Sequence, residues 1–481
     1  MKIKLFFSFT ILTVLALQIS ADVIKIHDFE ELKKIGKHPD FPLDGNYELA
    51  GNIDASDSRN INNGKGFEPI GKMIFDSQYG IFTPDSAFTG IFYGKNFVIS
   101  NLYIKSIEDY VGLFGVVKNG EIKAIGLEDV FIEGNHFVGA LIGYSIGGTI
   151  MDCYSAGDVS SRGNFVGGLV GAADSATTIA VSYSVGNISS FGERLGGLVG
   201  SSTGKIIDCY FTGSVSGLGE DVGGLIGYIG DNSQIINCYS TGFVSGSNYV
   251  GGLLGKVYTL GSFTTNGSTI INCYSTAFVN GDGLLGGLVG ALLGHSTTIT
   301  NCYSTGSVSG TDDYIGGFIG ESFSGGTTVI NCFWDTETSK QNSSARGEGR
   351  TTAQMKQQAT YTGWDFDNIW AIDEGEDYPY LLSLGKTQTP TSVIEIKISR
   401  NTTVAPVPLI IIKNKTLTIK STSTSDLQIR LFDMRGKTLA RFNTRGNGSN
   451  SFSLAKIPAG RYLIETKENG KRVGVSAVVL R

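Results

Sequence analysis

Six tyrosines stand at matched positions along the middle of the 481-residue chain: Tyr154, Tyr183, Tyr210, Tyr239, Tyr274 and Tyr303. Each follows a cysteine, apart from Tyr183, which follows Ser182. If the cysteine points into a core, alternation along a strand turns the tyrosine outward. A stripe of rings on a rod could stack against the sugar rings of a polysaccharide, so these six are the candidate ligand-binding residues. Self-stacking, or cover by a neighbouring segment, is the plainer alternative. Acidic residues form a second recurring group, with Glu220, Asp221, Asp312 and Asp313 beside Asp109 and Asp282. Stacked carboxylates could hold calcium or act as an acid–base pair on a glycosidic bond. Other rungs carry Asn164-Phe165, Glu193-Arg194 and Asn248-Tyr249 at the same place, the mixture expected of a solvated turn, so calcium is the lesser reading.

Other chemistry has little support. The four histidines, His27, His38, His136 and His295, do not recur, and there is no His-Glu-x-x-His motif, Gly-x-Ser-x-Gly elbow or phosphate-binding loop. The six cysteines, Cys153, Cys209, Cys238, Cys273, Cys302 and Cys332, all occupy one repeat position, and no Cys or His pair has zinc-ligand spacing. Stacked neighbours would bring their Cα atoms about 4.8 Å apart, close enough for a disulfide, but parallel side chains fit its dihedral badly. Reduced thiols are therefore expected. No catalytic residue, metal centre or cofactor is anticipated.

A strict repeat must position the tyrosines. The hexad Val166-Gly-Gly-Leu-Val-Gly171 has counterparts starting at Val138, Leu195, Val222, Val250, Leu285 and Ile315, with a five-residue form at Val111. The starts are 27, 28, 29, 27, 28, 35 and 30 residues apart, and the Cys-Tyr motif keeps step with them. Such a period means a solenoid. The runs between turns are short and rich in β-branched residues, and none has helical length and period. The expected fold is all-β: a parallel β-helix of about 28-residue coils, followed by a small C-terminal β-sandwich. A propeller blade needs about 40 residues or more, which makes that the second choice. Of the 67 glycines, 22 lie in the eight hexads, so the surplus marks one bend per coil rather than flexibility. The residues before the Cys position, Asp152, Asp208, Asn237, Asn272, Asn301 and Asn331, could hydrogen-bond along the axis as a ladder.

The hexads, alternating with Asn-Cys-Tyr-Ser-Thr-Gly, resemble the GLUG-motif repeats of bacterial surface and secreted proteins. Phe29 to Ile35 with Tyr47 to Asp54 resembles the usual opening segment. Phe333 to Ser339, Thr351 to Met355, Trp364, Trp370 and Tyr378 to Leu381 resemble the usual closing one. The resemblance implies surface binding or adhesion and no catalytic residues. Physically, Asp28 can cap a helix with Glu31 at the capping-box position, and Trp334, Trp364 and Trp370 can cover the open end of the core.

The chain begins with Lys2 and Lys4, an apolar stretch from Leu5 to Leu17 and small residues near Ala21, the pattern of a secretory signal peptide. At the other end, the stretch from 387 carries 16 Lys and Arg against 5 Asp and Glu, while 22–386 carries 20 against 39. The acidic body argues against nucleic acid. Leu431 to Lys437, Ile457 to Leu463 and the closing strand to Arg481 resemble the sorting domain of type IX secretion substrates. That implies a Gram-negative cell, contact with the secretion machinery through 405–481, and release or attachment at the surface.

The expected layout is a signal peptide at 1–21, an N-terminal cap with the first coils at 22–105, the repeat helix at 106–335, and its C-terminal cap at 336–386. A linker at 387–404 and the sorting sandwich at 405–481 follow. No transmembrane segment is expected in the mature chain. The function expected is non-catalytic binding or adhesion, the partner a polysaccharide or a neighbouring cell surface. A structural spacer and a β-helix polysaccharide lyase or hydrolase are the alternatives. The array holds only four Lys and Arg between Val138 and Cys332, and it is too uniform for a cleavage cleft.

Overall fold

A computed structural model describes residues 23–76, 81–259, 267–294, 296–311, 313–323 and 325–385. In the tail it describes 395–397, 409–413, 416–421, 427–433, 438–444, 448–453, 460–468 and 471–480. The expected signal peptide lies outside these residues.

Every coil follows one course. In the coil starting at Val166, the short strand Val166–Gly167 leads through a bend into Val170–Ala173, then Thr177–Ala180, a corner, and Tyr183–Ser190. Equivalent strands of successive coils pair in parallel and in register, Val166 with Leu195, Val170 with Val199 and Tyr183 with Tyr210. They build a six-stranded, an eight-stranded and a 23-stranded sheet around one interior. This is the expected parallel β-helix. The longest hexad interval contains residues 260–266, which lie outside the described set, so the extra length leaves the coil pairings on either side intact.

Each inward position makes a ladder. Ile122, Ile150, Ile179, Ile206, Ile235, Ile270 and Ile299 are register partners in consecutive coils, each at most 1% exposed. Each such side chain contributes about 1.5–3 kcal/mol by leaving water. Leu169 and Val170, adjacent in the hexad, are both fully buried because the chain bends between them. That bend needs glycine. A Cβ on Gly197 would lie 2.2 Å from the Phe211 ring and 2.2 Å from the Gly224 carbonyl of the next coil.

The corners use a conformation that the repeat pattern alone does not announce. Asp152, Asp208, Asn237, Asn272, Asn301 and Asn331 all have φ between +52° and +56°, the left-handed region that Asn and Asp tolerate best. The expected amide ladder forms there: the Nδ2 of Asn237 donates to Asp208, Asn272 to Asn237, Asn301 to Asn272 and Asn331 to Asn301.

At the first coil, Asp28 caps the short helix Phe29–Leu32 by accepting from the Glu31 amide. Glu31 accepts from the amide of His27 rather than completing a box with Asp28. At the far end, Trp334 is part of the main core, and Glu348–Arg350 pairs with Phe333–Asp335 to close the last coil. Trp364 and Trp370 do something different from the expected end cover: residues 351–385 turn back along the outside of the long sheet, and both indoles sit there. The tail forms two four-stranded antiparallel sheets, bridged by Phe442 and Phe452 with centroids 4.9 Å apart, as expected of a sandwich. Its strand Glu395–Lys397 falls inside the stretch read as linker and pairs with Leu409–Lys413.

Candidate functional site

The six tyrosines form one ladder. Consecutive rings from Tyr154 to Tyr303 lie 4.7–5.0 Å apart with interplanar angles of 2–11°. The outward direction inferred from alternation holds, but the surroundings differ along the row. Tyr154, Tyr183 and Tyr210 are half-buried, whereas Tyr239, Tyr274 and Tyr303 are at most 2% exposed. Residues 351–385 cover these last three with Met355, Tyr361, Trp364, Trp370 and Leu381. The Tyr303 hydroxyl donates to the Pro379 carbonyl at 2.5 Å, and Ser383 donates to Asp208 at 2.8 Å, which ties the covering segment down. Burial pushes the phenols of Tyr154, Tyr183, Tyr210 and Tyr303 upward, so these stay protonated donors.

The stacking has a chemical consequence. A ring in mid-ladder spends both faces on its neighbours and shows only its edge and hydroxyl. At the start of the ladder Tyr154 pairs with Gly126 and leans over it: a Cβ there would sit 2.4 Å from the ring. Its hydroxyl donates to Glu128 at 2.7 Å. No ring face of this ladder is open among the described residues.

A second ring ladder occupies the turn before the hexads, where the sequence suggested only a solvated corner. Tyr110 stacks on Phe137 at 4.8 Å and 11°, and Phe137 on Phe165 at 4.4 Å and 3°. The Arg194 guanidinium covers the next face, 4.9 Å from the Phe165 centroid and 4.3 Å from Tyr228. Tyr110, Phe137, Phe165 and Arg194 all have left-handed φ, from +56° to +66°. The signal was present in the sequence as aromatic residues immediately before three successive hexads, but the polar residues in later coils obscured it.

The next rung of that corner is Asp221, one of the calcium candidates. It is 2% exposed and lies 3.1 Å from the Lys256 ammonium. Burial raises its pKa, although Lys256 and Arg194 pull the other way. Two of the array's four cations thus converge on one carboxylate, which is a charge-neutralised cluster rather than a solvated turn. Glu220 is half-buried and accepts from Asn248, and Asp313 is exposed; Asp312 lies outside the described residues. No group of three or more metal-ligating side chains occurs among the described residues.

A cleft of about 670 Å³ opens at the start of the second ladder. Tyr110, Glu108, Asp109, Asn135, Asn62 and Lys65 are among the residues that line it. The six cysteines are buried thiols, each Sγ donating to the carbonyl two residues earlier or to the preceding coil. Burial pushes Cys153 up to about 12, far from thiolate chemistry.

With coils, corners and ladders described, the class is clear: this is a parallel β-solenoid, several of whose coils carry the GLUG motif. The GLUG motif model matches residues 191–216, 219–245 and 281–309. The model of the secretion system C-terminal sorting domain matches 413–480, so the chain is a secreted or cell-surface protein that engages a secretion system through its tail.

Halomucin of Haloquadratum walsbyi is 37% identical over 129 residues, 26% of this chain and 1% of its own length. A protein of Evansella cellulosilytica provisionally named a Gly-rich membrane protein is 44% identical over 50 residues, 10% of this chain and 6% of its own. The chain therefore spans a small part of both relatives. Among solved structures, a Bacteroides ovatus protein provisionally named an immunoglobulin A1 protease covers 75% of this chain and 92% of its own, with 19% identity and a TM-score of 0.44. At that level the name describes that protein and not this one. No helix among the described residues is long and apolar enough to cross a membrane.

Proposed function

We propose that the chain is a non-catalytic binding rod, delivered outside a Gram-negative cell by type IX sorting, whose ligand is a polysaccharide. The observation that carries this reading is the register. Coil after coil presents the same side chains at the spacing of paired strands, about 4.8 Å, so the surface repeats along one line as a polymer does. The part of the tyrosine stripe not buried beneath the cap is Tyr154, Tyr183 and, at the margin of the cap, Tyr210, which leave ring edges to a chain lying along the rod. The covered three, Tyr239, Tyr274 and Tyr303, act as the seat of the C-terminal cap.

The test is retention on insoluble cellulose, xylan and pectin, read by pull-down beside an assay for soluble sugar release. Wild type should be retained without releasing sugar, and Tyr183→Ala with Tyr210→Ala should reduce retention. Sugar release would replace the binding reading with the lyase or hydrolase one, and absence of retention would leave the spacer. For delivery, a chain lacking 405–481 should accumulate in the periplasm; unimpaired secretion would refute the sorting role.

A further inference from the structure

The two ring ladders start differently. Tyr154 leans over Gly126 of the preceding coil. Ahead of the second ladder, Ile70 bridges Phe114 in parallel, while Gly66 turns aside to bridge Ile104 in antiparallel fashion and packs against Tyr103. Tyr110 stacks on Phe137, with Tyr144 tilted 6.3 Å away, and no further ring and no cation lies against it among the described residues. Tyr110 lines the 670 Å³ cleft, a volume within the range of small-molecule sites.

The cleft surrounds the ring with hydrogen-bonding groups. Asp109 Oδ1 accepts from Asn135 Nδ2 at 2.9 Å and from the His136 amide at 3.1 Å, which fixes the carboxylate and leaves Oδ2 without a partner among the described residues. Glu108 and Asn62 are exposed beside it, and Lys65 makes no described ion pair. Glu68 is occupied by Lys37 and Lys72, which hold its carboxyl down at about 2.

We infer that this cleft is a subsite for one pyranose unit of a neutral, β-linked glycan, with Tyr110 as its platform. An all-equatorial pyranose presents a flat face of axial C–H groups, which suits the electron-rich face of an aromatic ring. Its vicinal hydroxyls donate to and accept from paired carboxylate and amide groups, which Asp109, Glu108 and Asn62 supply. Phe137 and Phe165 hold the platform rigid from behind. This deepens the polysaccharide reading and rests on it, but it places recognition at one end of the rod rather than along the tyrosine stripe.

The probes are cellohexaose and xylohexaose, titrated calorimetrically against the secreted chain, beside the polymer pull-down. Tyr110→Ala should weaken binding of whichever hexasaccharide is bound by about tenfold or more, the size of a lost ring stack with its ordering. Tyr110→Phe should bind as wild type, and Asp109→Asn should weaken binding several-fold while the thermal melt stays in place. If Tyr110→Ala and Asp109→Asn both bind as tightly as wild type, the subsite is refuted while the polymer reading stands. If wild type binds neither hexasaccharide but is retained on polymer, the subsite is refuted and the stripe keeps the ligand. If wild type is not retained and binds neither, both readings fall.

Discussion

Two rows of stacked rings run along the same rod, and their ends separate structure from recognition. The tyrosine ladder has no spare ring face: it leans on Gly126 at one end, and its last three rings lie under Trp364 and Trp370. The corner ladder is sealed by Arg194 at one end and open at Tyr110 on the other. The same interaction therefore serves two purposes. Ring on ring, with a hydrophobic cover, makes a seam that fastens one part of the protein to another. Ring on ring with one face left over makes a rigid platform. Counting exposed aromatics would rank the six-membered row first; counting unspent faces reverses the order.

The comparison can be broken at either row. The largest effect is expected from Trp370→Ala. Its side chain is fully buried and lies 6.1 Å from both Tyr274 and Tyr303, so its loss should cost about 3–5 kcal/mol and expose the tyrosines beneath. A lower melting temperature, with tyrosine fluorescence newly open to a soluble quencher, is the expected readout. Binding of oligosaccharide at Tyr110 should not change, and a change would mean that the two rows are coupled. Phe137→Ala should do the opposite. It removes a half-buried ring at a turn, with an expected stability loss of about 1–2 kcal/mol, yet it frees Tyr110 on its packed side. Hexasaccharide affinity should fall by more than the melt suggests. A variant that melts lower with unchanged affinity would show that Tyr110 needs no support. Tyr183→Phe, which keeps the stack and deletes only a hydroxyl, should be nearly silent in the melt and serves as the control for ring against edge.

Much of the architecture was legible because a solenoid writes each inward position many times. Seven isoleucines at one place, or six cysteines, announce a buried rung by repetition alone. The sense of the tyrosines, outward from the cysteines, followed from strand alternation. What could not be read was what lies over an outward residue: the cover on Tyr239, Tyr274 and Tyr303 comes from residues some 50 to 140 positions later, a contact with no periodicity to betray it. The corner ladder was missed for the reverse reason. It is periodic for only three coils, and its fourth and fifth rungs, Arg194 and Asp221, look like surface charges in the sequence. Folded, they are a guanidinium on a ring and a buried carboxylate against Lys256.

The hydrogen-bonded row of corner side chains from Asp208 to Asn331 has one member that is not an amide. Asp208 carries a carboxylate, which can accept hydrogen bonds and cannot give one, and it receives from both Asn237 and Ser383. That makes it a terminus with a sign. Asn237 must turn its nitrogen toward Asp208, which leaves its oxygen for Asn272, and the same choice passes on to Asn301 and Asn331. One acidic residue thus orients four side chains over four coils, like the first tile of a row. The rod has a direction in its surface dipoles as well as in its backbone. An Asp208→Asn chain would keep every contact and lose the instruction that says which way the row should face.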